Sequence, residues 1–173
     1  MTSRGGRLLA VVSSAALVGL VALASGIVPA QAAPGARASV EGCSNKTDNR
    51  SPNNWTAADW KICVGNYGGP HGEVDTKCYA GQTIGWNANP CTVSGSFEIR
   101  KGQEVVKSGR FAVGSPMNGI VTAVPFRFSC QGHGVYTFKT TGVHATLRDG
   151  NGNPRQGYES AAVADATAAV TMC

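Results

Sequence analysis

Six cysteines, Cys43, Cys63, Cys78, Cys91, Cys130 and Cys173, are spread through a chain of 173 residues, and none lies before residue 43. An even number of widely spaced cysteines in a small exported domain reads as a disulfide framework. Six can pair in about 15 ways, and spacing alone does not choose among them. Two local hints exist. Cys63 and Cys78 are symmetric about Gly69-Pro70-His71-Gly72, which is turn chemistry, so a hairpin there would let the two sulfurs face each other. Cys173 ends the chain, and a bond to Cys130 would pin that end to the body. Zinc is the competing use of such residues. It needs four ligands, usually as two close pairs, whereas Cys130-x-x-His133 is the only short Cys/His spacing here.

The start of the chain supports an oxidising destination. Arg4 and Arg7 precede an apolar run from Leu8 to Val28, followed by Pro29 and Ala30-Gln31-Ala32. A basic start, an apolar middle and small residues at the −3 and −1 positions make a Sec-type secretory leader of bacterial character. Cleavage is expected between Ala32 and Ala33. The run is long enough to span a bilayer as an uncleaved anchor, but the cleavage motif and the helix-breaking proline favour removal. The expected organisation is therefore a leader over residues 1–32, a short extension or first strand over 33–42, and one disulfide-rich β domain over 43–173. After cleavage the protein is expected to be secreted, monomeric and free of the membrane.

A domain of this length can bury about two-thirds of its unfolded surface, enough for a true core. Of 15 Lys and Arg, two belong to the leader, which leaves 13 against 10 Asp and Glu. That balance is mild, and no Lys/Arg cluster of the kind a phosphate backbone needs is visible, so nucleic acid is not an expected partner.

Beyond Gly72 the apolar residues recur every second position. Phe97 and Ile99 alternate with Ser96, Glu98 and Arg100, and Phe111 and Val113 follow after a Lys101-Gly102-Gln103 turn, a hairpin with one buried face. Thr122, Val124, Phe126, Phe128 and Cys130 share a side of the next strand, where Pro125 implies an edge or a bulge. Tyr136, Phe138 and Thr140 share one face, and beyond Gly142 the series resumes at Val143, Ala145 and Leu147. Residues 161–172 are alanine-rich but carry enough β-branched positions to read as strand. Ser51-Pro52 can open a helix, so a short helical turn is expected near 52–60. The class is an all-β, disulfide-stapled antiparallel sandwich. The segment Gly134-Val135-Tyr136-Thr137-Phe138 resembles the late strand of immunoglobulin-like domains, where a tyrosine precedes a buried residue. That resemblance implies an immunoglobulin-like topology and nothing about function.

Site candidates are few. Trp55 and Trp60 sit among Asn53, Asn54, Thr56 and Asp59, and exposed indoles beside amides are a common ligand-binding combination. With Tyr67 they form the candidate binding set Asn53, Asn54, Trp55, Trp60 and Tyr67, whereas Trp86, near Ile84 and Cys91, reads as core. Asp149, Asn151 and Asn153 space oxygens as a calcium loop does, but Pro154 stands where such loops need glycine, so a solvent turn is favoured. Sequons begin at Asn45, Asn49 and Asn54 and read as ordinary loop content. No cofactor motif and no metal centre is expected. His71, His133 and His144 belong to no catalytic motif, which disfavours an enzyme. The reading is a non-catalytic extracellular binding module for a glycan or a protein surface. The alternatives are a small hydrolase or metal-dependent enzyme using His133 or His144, and a protease inhibitor presenting 65–72. Edman sequencing and alkylation of the exported protein should give an N-terminus at Ala33 and no free thiol; six free thiols would overturn the framework.

Overall fold

A computed structural model describes residues 39–115 and 119–173; the expected leader lies outside the described residues. The chain forms β1 (Glu41–Cys43), β2 (Thr47–Arg50), β3 (Thr56–Gly65), β4 (His71–Gln82), β5 (Gly85–Ala88), β6 (Cys91–Lys101), β7 (Glu104–Gly114), β8 (Ile120–Arg127), β9 (Gly134–Leu147), β10 (Ala161–Val163) and β11 (Ala166–Met172). No helix occurs among the described residues. In the first sheet β3 and β4 lie at the centre. β1 and β2 pair along the outer edge of β3, and β5 and β8 along the outer edge of β4. In the second sheet the order is β7-β6-β9, with β10 and β11 both on β9. Every pairing is antiparallel. The chain crosses to the second sheet at β6, returns at β8 and crosses again at β9.

The inner faces share one core. Trp60, Ile62, Val64 and Val74 come from the first sheet, and Val93, Ile99, Tyr136, Phe138 and Leu147 from the second. Phe126 on β8 reaches across, with ring centroids 4.7 Å from Phe97, 5.5 Å from Phe111 and 5.6 Å from Phe138. Trp60 lies parallel to Phe111 at 6.3 Å. These rings make the two sheets a sandwich, because each sheet buries its apolar face only against the other.

Local chemistry explains the irregularities. On β9 the buried positions are Tyr136, Phe138 and Thr140, then Val143, Ala145 and Leu147. The change of phase falls at Gly142, whose φ of 57° is left-handed, where the ladder to β6 slips between Ser94 and Ser96. One inserted residue with glycine at the turn point returns the following side chains to the core. Pro125 sits on β8, which pairs only with β4 among the described residues, and that ladder also slips, between Val74 and Thr76. The Tyr136 hydroxyl accepts the Gln131 N–H and donates to the Gly132 carbonyl, both at 2.9 Å, fastening the loop that enters β9.

Three disulfides are formed: Cys43–Cys63, Cys78–Cys91 and Cys130–Cys173. The second ties β4 to β6, one sheet to the other, and the third fastens the C-terminal residue as expected. The suggested facing of Cys63 and Cys78 is incorrect. The β3–β4 turn closes through Gly68 and Gly69, both at positive φ, so the register sets Cys63 opposite Glu73 and Cys78 opposite Ala58. Cys63 instead faces its direct cross-strand neighbour, Cys43.

The helical turn near 52–60 is likewise replaced by strand. Ser51 does not cap a helix. Its N–H donates to the Thr56 carbonyl at 2.8 Å and its Oγ accepts the Thr56 N–H at 2.9 Å, closing a tight loop. Asn54 turns that loop at a φ of 57°. From there Ala58, Trp60, Ile62 and Val64 are buried at every second position, a strand period that outweighs the helix-start signal. Trp60→Ala should lower the unfolding free energy by about 3–5 kcal/mol, read from the denaturant midpoint; a loss below about 1 kcal/mol would contradict this packing.

Candidate functional site

Three segments distant in sequence meet at one rim of the sandwich: the Ser51–Trp55 loop, the β4–β5 hairpin and the long loop between β9 and β10. The Gly81 N–H donates to the Trp55 carbonyl at 2.7 Å, and the Tyr158 hydroxyl donates to the Gly81 carbonyl at 3.3 Å. Gly81 permits this contact. A Cβ there would lie 3.2 Å from the Asn54 carbonyl oxygen and 3.3 Å from the Trp55 ring, so a side chain would fit only if the loop gave way slightly. Trp55 and Tyr158 meet edge to face at 6.4 Å. The Arg155 guanidinium covers the Tyr158 ring at 4.4 Å and donates to Asn89 Oδ1 at 2.7 Å.

Trp86 stands on β5, directly opposite Gly81 in the ladder, a partner position that has no side chain. The Arg50 guanidinium lies 5.1 Å from its ring, and Arg50 also bonds Asp48 at 3.3 Å and Asn54 Oδ1 at 3.4 Å. Ile84 occupies the tip of the hairpin and is 95% exposed.

The sequence candidates divide between these places. Asn53, Asn54 and Trp55 come together, Trp55 being 43% exposed. Asn53 holds its loop by accepting the Ser51 hydroxyl at 2.7 Å and the Trp55 N–H at 3.1 Å. Trp60, expected at the surface, is 1% exposed and belongs to the core, while Trp86, expected in the core, is 36% exposed. The exchange has one cause: Trp60 is on a central strand with its side chain facing the second sheet, and Trp86 is on a short edge strand. Tyr67 is 78% exposed but follows β3, whereas Trp55 precedes it. A ten-residue strand separates them by roughly 30 Å or more at about 3.3 Å per residue, so Tyr67 does not join this rim. Gln82, Thr83, Trp86 and Tyr158 do, and sequence reading missed them. The signal available was Gly81-Gln82-Thr83-Ile84-Gly85, a glycine-bounded tip that marks a hairpin.

The rim is concave in three adjoining places. A cleft of about 360 Å³ lies between Trp55 and Trp86, lined also by Asn53, Asn54, Gln82 and Thr83. Beyond Trp55 a more open hollow of about 530 Å³ is walled by Ile84 and Tyr158. Beyond Trp86 one of about 210 Å³ is walled by Arg50, Asp48, Asp59 and Tyr79. At this last place the Asp59 carboxylate takes the Lys46 ammonium at 2.6 Å and the Tyr79 hydroxyl at 3.0 Å. Partial burial, followed by the hydrogen bond to Asp59, raises the Tyr79 pKa above its ordinary 10.0. Asp59, through its hydrogen bond and its charge, likewise raises that of Lys46.

The remaining candidates are accounted for by structure. Asp149 Oδ1 accepts the Asn151 and Asn153 N–H groups at 2.9 Å each, so its loop caps itself as a turn. Asn49 is buried, donating to the Ala58 carbonyl at 3.1 Å and accepting the Ala164 N–H at 2.9 Å, which leaves its amide no room for a sugar. His133 and His144 are exposed and lie roughly 30 Å apart along β9. His71 is buried, with Nδ1 2.8 Å from the Gly69 carbonyl and Nε2 3.6 Å from Glu73. No hydroxyl or thiol among the described residues is hydrogen-bonded to any of the three, so the geometry lends a hydrolase no nucleophile–histidine pair. Glu41, Cys43 and Cys63 cluster within 4.8 Å, but their sulfurs are joined in a disulfide and cannot act as thiolate ligands. No protein-family model, no curated protein and no solved structure matches the chain.

The raised Tyr79 pKa carries a pH signature. A group that holds its proton more tightly when folded stabilises the fold below its unfolded pKa and loses that contribution as pH rises through the folded value. The unfolding free energy of the protein minus that of Tyr79→Phe should be flat up to about pH 9 and fall as pH passes 10. Denaturant titrations across pH 7–11 measure it, and a difference that rises above pH 10 would contradict the assignment.

Proposed function

We propose that this chain is exported, loses its leader and acts outside the cell as a non-catalytic module that binds a glycan on the Trp55–Trp86 rim. The observation that carries this reading is the pair of half-exposed indoles flanking a cleft furnished with Asn53, Asn54, Gln82 and Thr83. Exposed indole forgoes the gain of burial, about 25 cal/mol per Å² of apolar surface. Fixing two such rings at a rim, backed by hydrogen bonds and cation contacts, favours a ligand that covers them. Sugars suit the pairing, since their C–H faces stack on indole while their hydroxyls bond amides and threonine.

Three disulfides in a small all-β domain agree with an oxidising compartment. No helix among the described residues is long and apolar enough to cross a membrane. The strand order β3-β4-β8 facing β11-β9-β6-β7, with the Tyr136 hydroxyl bonded to backbone upstream, supports an immunoglobulin-like connectivity for the frame. The 65–72 loop gives little support to protease inhibition. It is a tight turn closed by the Gly69 N–H on the Asn66 carbonyl, whereas a protease cleft takes an extended segment.

Tryptophan fluorescence titrated with a panel of soluble polysaccharides should shift with at least one of them. Trp55→Ala and Trp86→Ala should each weaken that binding by about tenfold, and Trp60→Phe should leave it unchanged. No shift with any member of the panel would overturn the reading.

A further inference from the structure

We infer that the rim takes an unbranched, uncharged β-1,4-linked hexopyranose chain along its length, at least three units at a time; this rests on the glycan reading above. The three hollows are joined in series. The one walled by Tyr158 shares Trp55 with the central cleft, and the central cleft shares Trp86 with the one walled by Tyr79. Each hollow is therefore bounded by aromatic rings, Tyr158 and Trp55, then Trp55 and Trp86, then Trp86 and Tyr79. An aromatic ring at each division is the layout a polymer of repeated flat units requires, because every unit then presents a face to a ring. A single small ligand would instead be enclosed by one pocket, burying most of its surface.

Charge decides the class of chain. The charged side chains bordering the series already have partners: Asp48 with Arg50, Asp59 with Lys46, and Arg155 with Asn89 and the Tyr158 ring. The two carboxylates are thus already matched by cations, and a charged group on the ligand would compete with these contacts. The polar groups that line the central cleft are neutral, namely Asn53, Asn54, Gln82 and Thr83, and they match hydroxyl and acetamido groups. Stacking on indole needs a sugar ring with an unobstructed C–H face. Gluco-configured rings have equatorial substituents, so both faces are free, and an equatorial 1,4 link keeps successive rings in a flat ribbon. Ile84 at the hairpin tip extends the apolar wall beside Trp55. Because the series continues on both sides of the central cleft, the interior of a chain fits as well as its end.

Calorimetric titration of the exported protein with cello-oligosaccharides and chito-oligosaccharides of one to six units tests this, with oligogalacturonates as the charged comparison. Affinity should rise by about tenfold or more from one unit to three and level off by four. Reduction of the chain end should leave the six-unit ligand's affinity unchanged, and Trp86→Ala should remove the gain from the added units. The two oligosaccharide series tell a glucose ribbon from an N-acetylglucosamine ribbon. Equal affinity for one unit and six, preference for the charged series, or binding confined to other sugars in the fluorescence panel would overturn this inference while leaving the glycan module standing. Silence from every sugar would remove both.

Discussion

Contact between aromatic rings across the two sheets is the constraint on which the molecule depends. Phe126 on β8 meets Phe97, Phe111 and Phe138 from three strands of the opposite sheet, and Trp60 lies flat beside Phe111. Large rings bury much area per residue at little cost in side-chain entropy, so a few of them can hold two sheets face to face. β8 is attached to its own sheet along one edge of β4, yet it supplies the ring that most connects the layers. The disulfides act around this centre. Cys78–Cys91 joins the sheets where the chain first crosses, and Cys130–Cys173 closes the far end. Each limits the unfolded chain more than it shapes the folded one.

A rigid core of this kind frees the rim for other work. The loops at Ser51–Trp55, at the β4–β5 tip and between β9 and β10 contribute few core side chains. They are held to one another through backbone groups of Gly81, Trp55 and the Tyr158 hydroxyl. Such bonds fix where Trp55 and Trp86 stand without consuming their faces. Arg50 and Arg155 add to this, packing against Trp86 and Tyr158 while keeping their own hydrogen-bond partners. The outcome is a surface that is aromatic, close to neutral and preorganised, which lowers the ordering cost of taking a ligand.

Much of the fold was legible in the chain because alternation is a local property. The Phe97–Ile99 and Tyr136–Thr140 series gave strands and faces, and Gly142 marked where the second series changes phase. The segment after Ser51 misled, since its serine–proline start resembles a helix cap while the Ala58-Trp60-Ile62-Val64 period belongs to a strand. The candidate site was legible only in part. Asn53, Asn54 and Trp55 are neighbours in sequence and stay together. Gln82, Thr83, Trp86 and Tyr158 arrive from elsewhere, and no local pattern announces that they share a rim.

What the residues determine by themselves is the class: alternating faces, turn glycines and an even set of widely spaced cysteines specify a cross-linked all-β domain. Tertiary structure alone decided the partners of Cys43, Cys63, Cys78 and Cys91 and which indole faces water. Both depend on register and on whether a strand is central or at an edge. Those properties belong to the partner strands as much as to the residue, so Trp60, with polar sequence neighbours, is buried, while Trp86, near Ile84 and Cys91, is partly exposed.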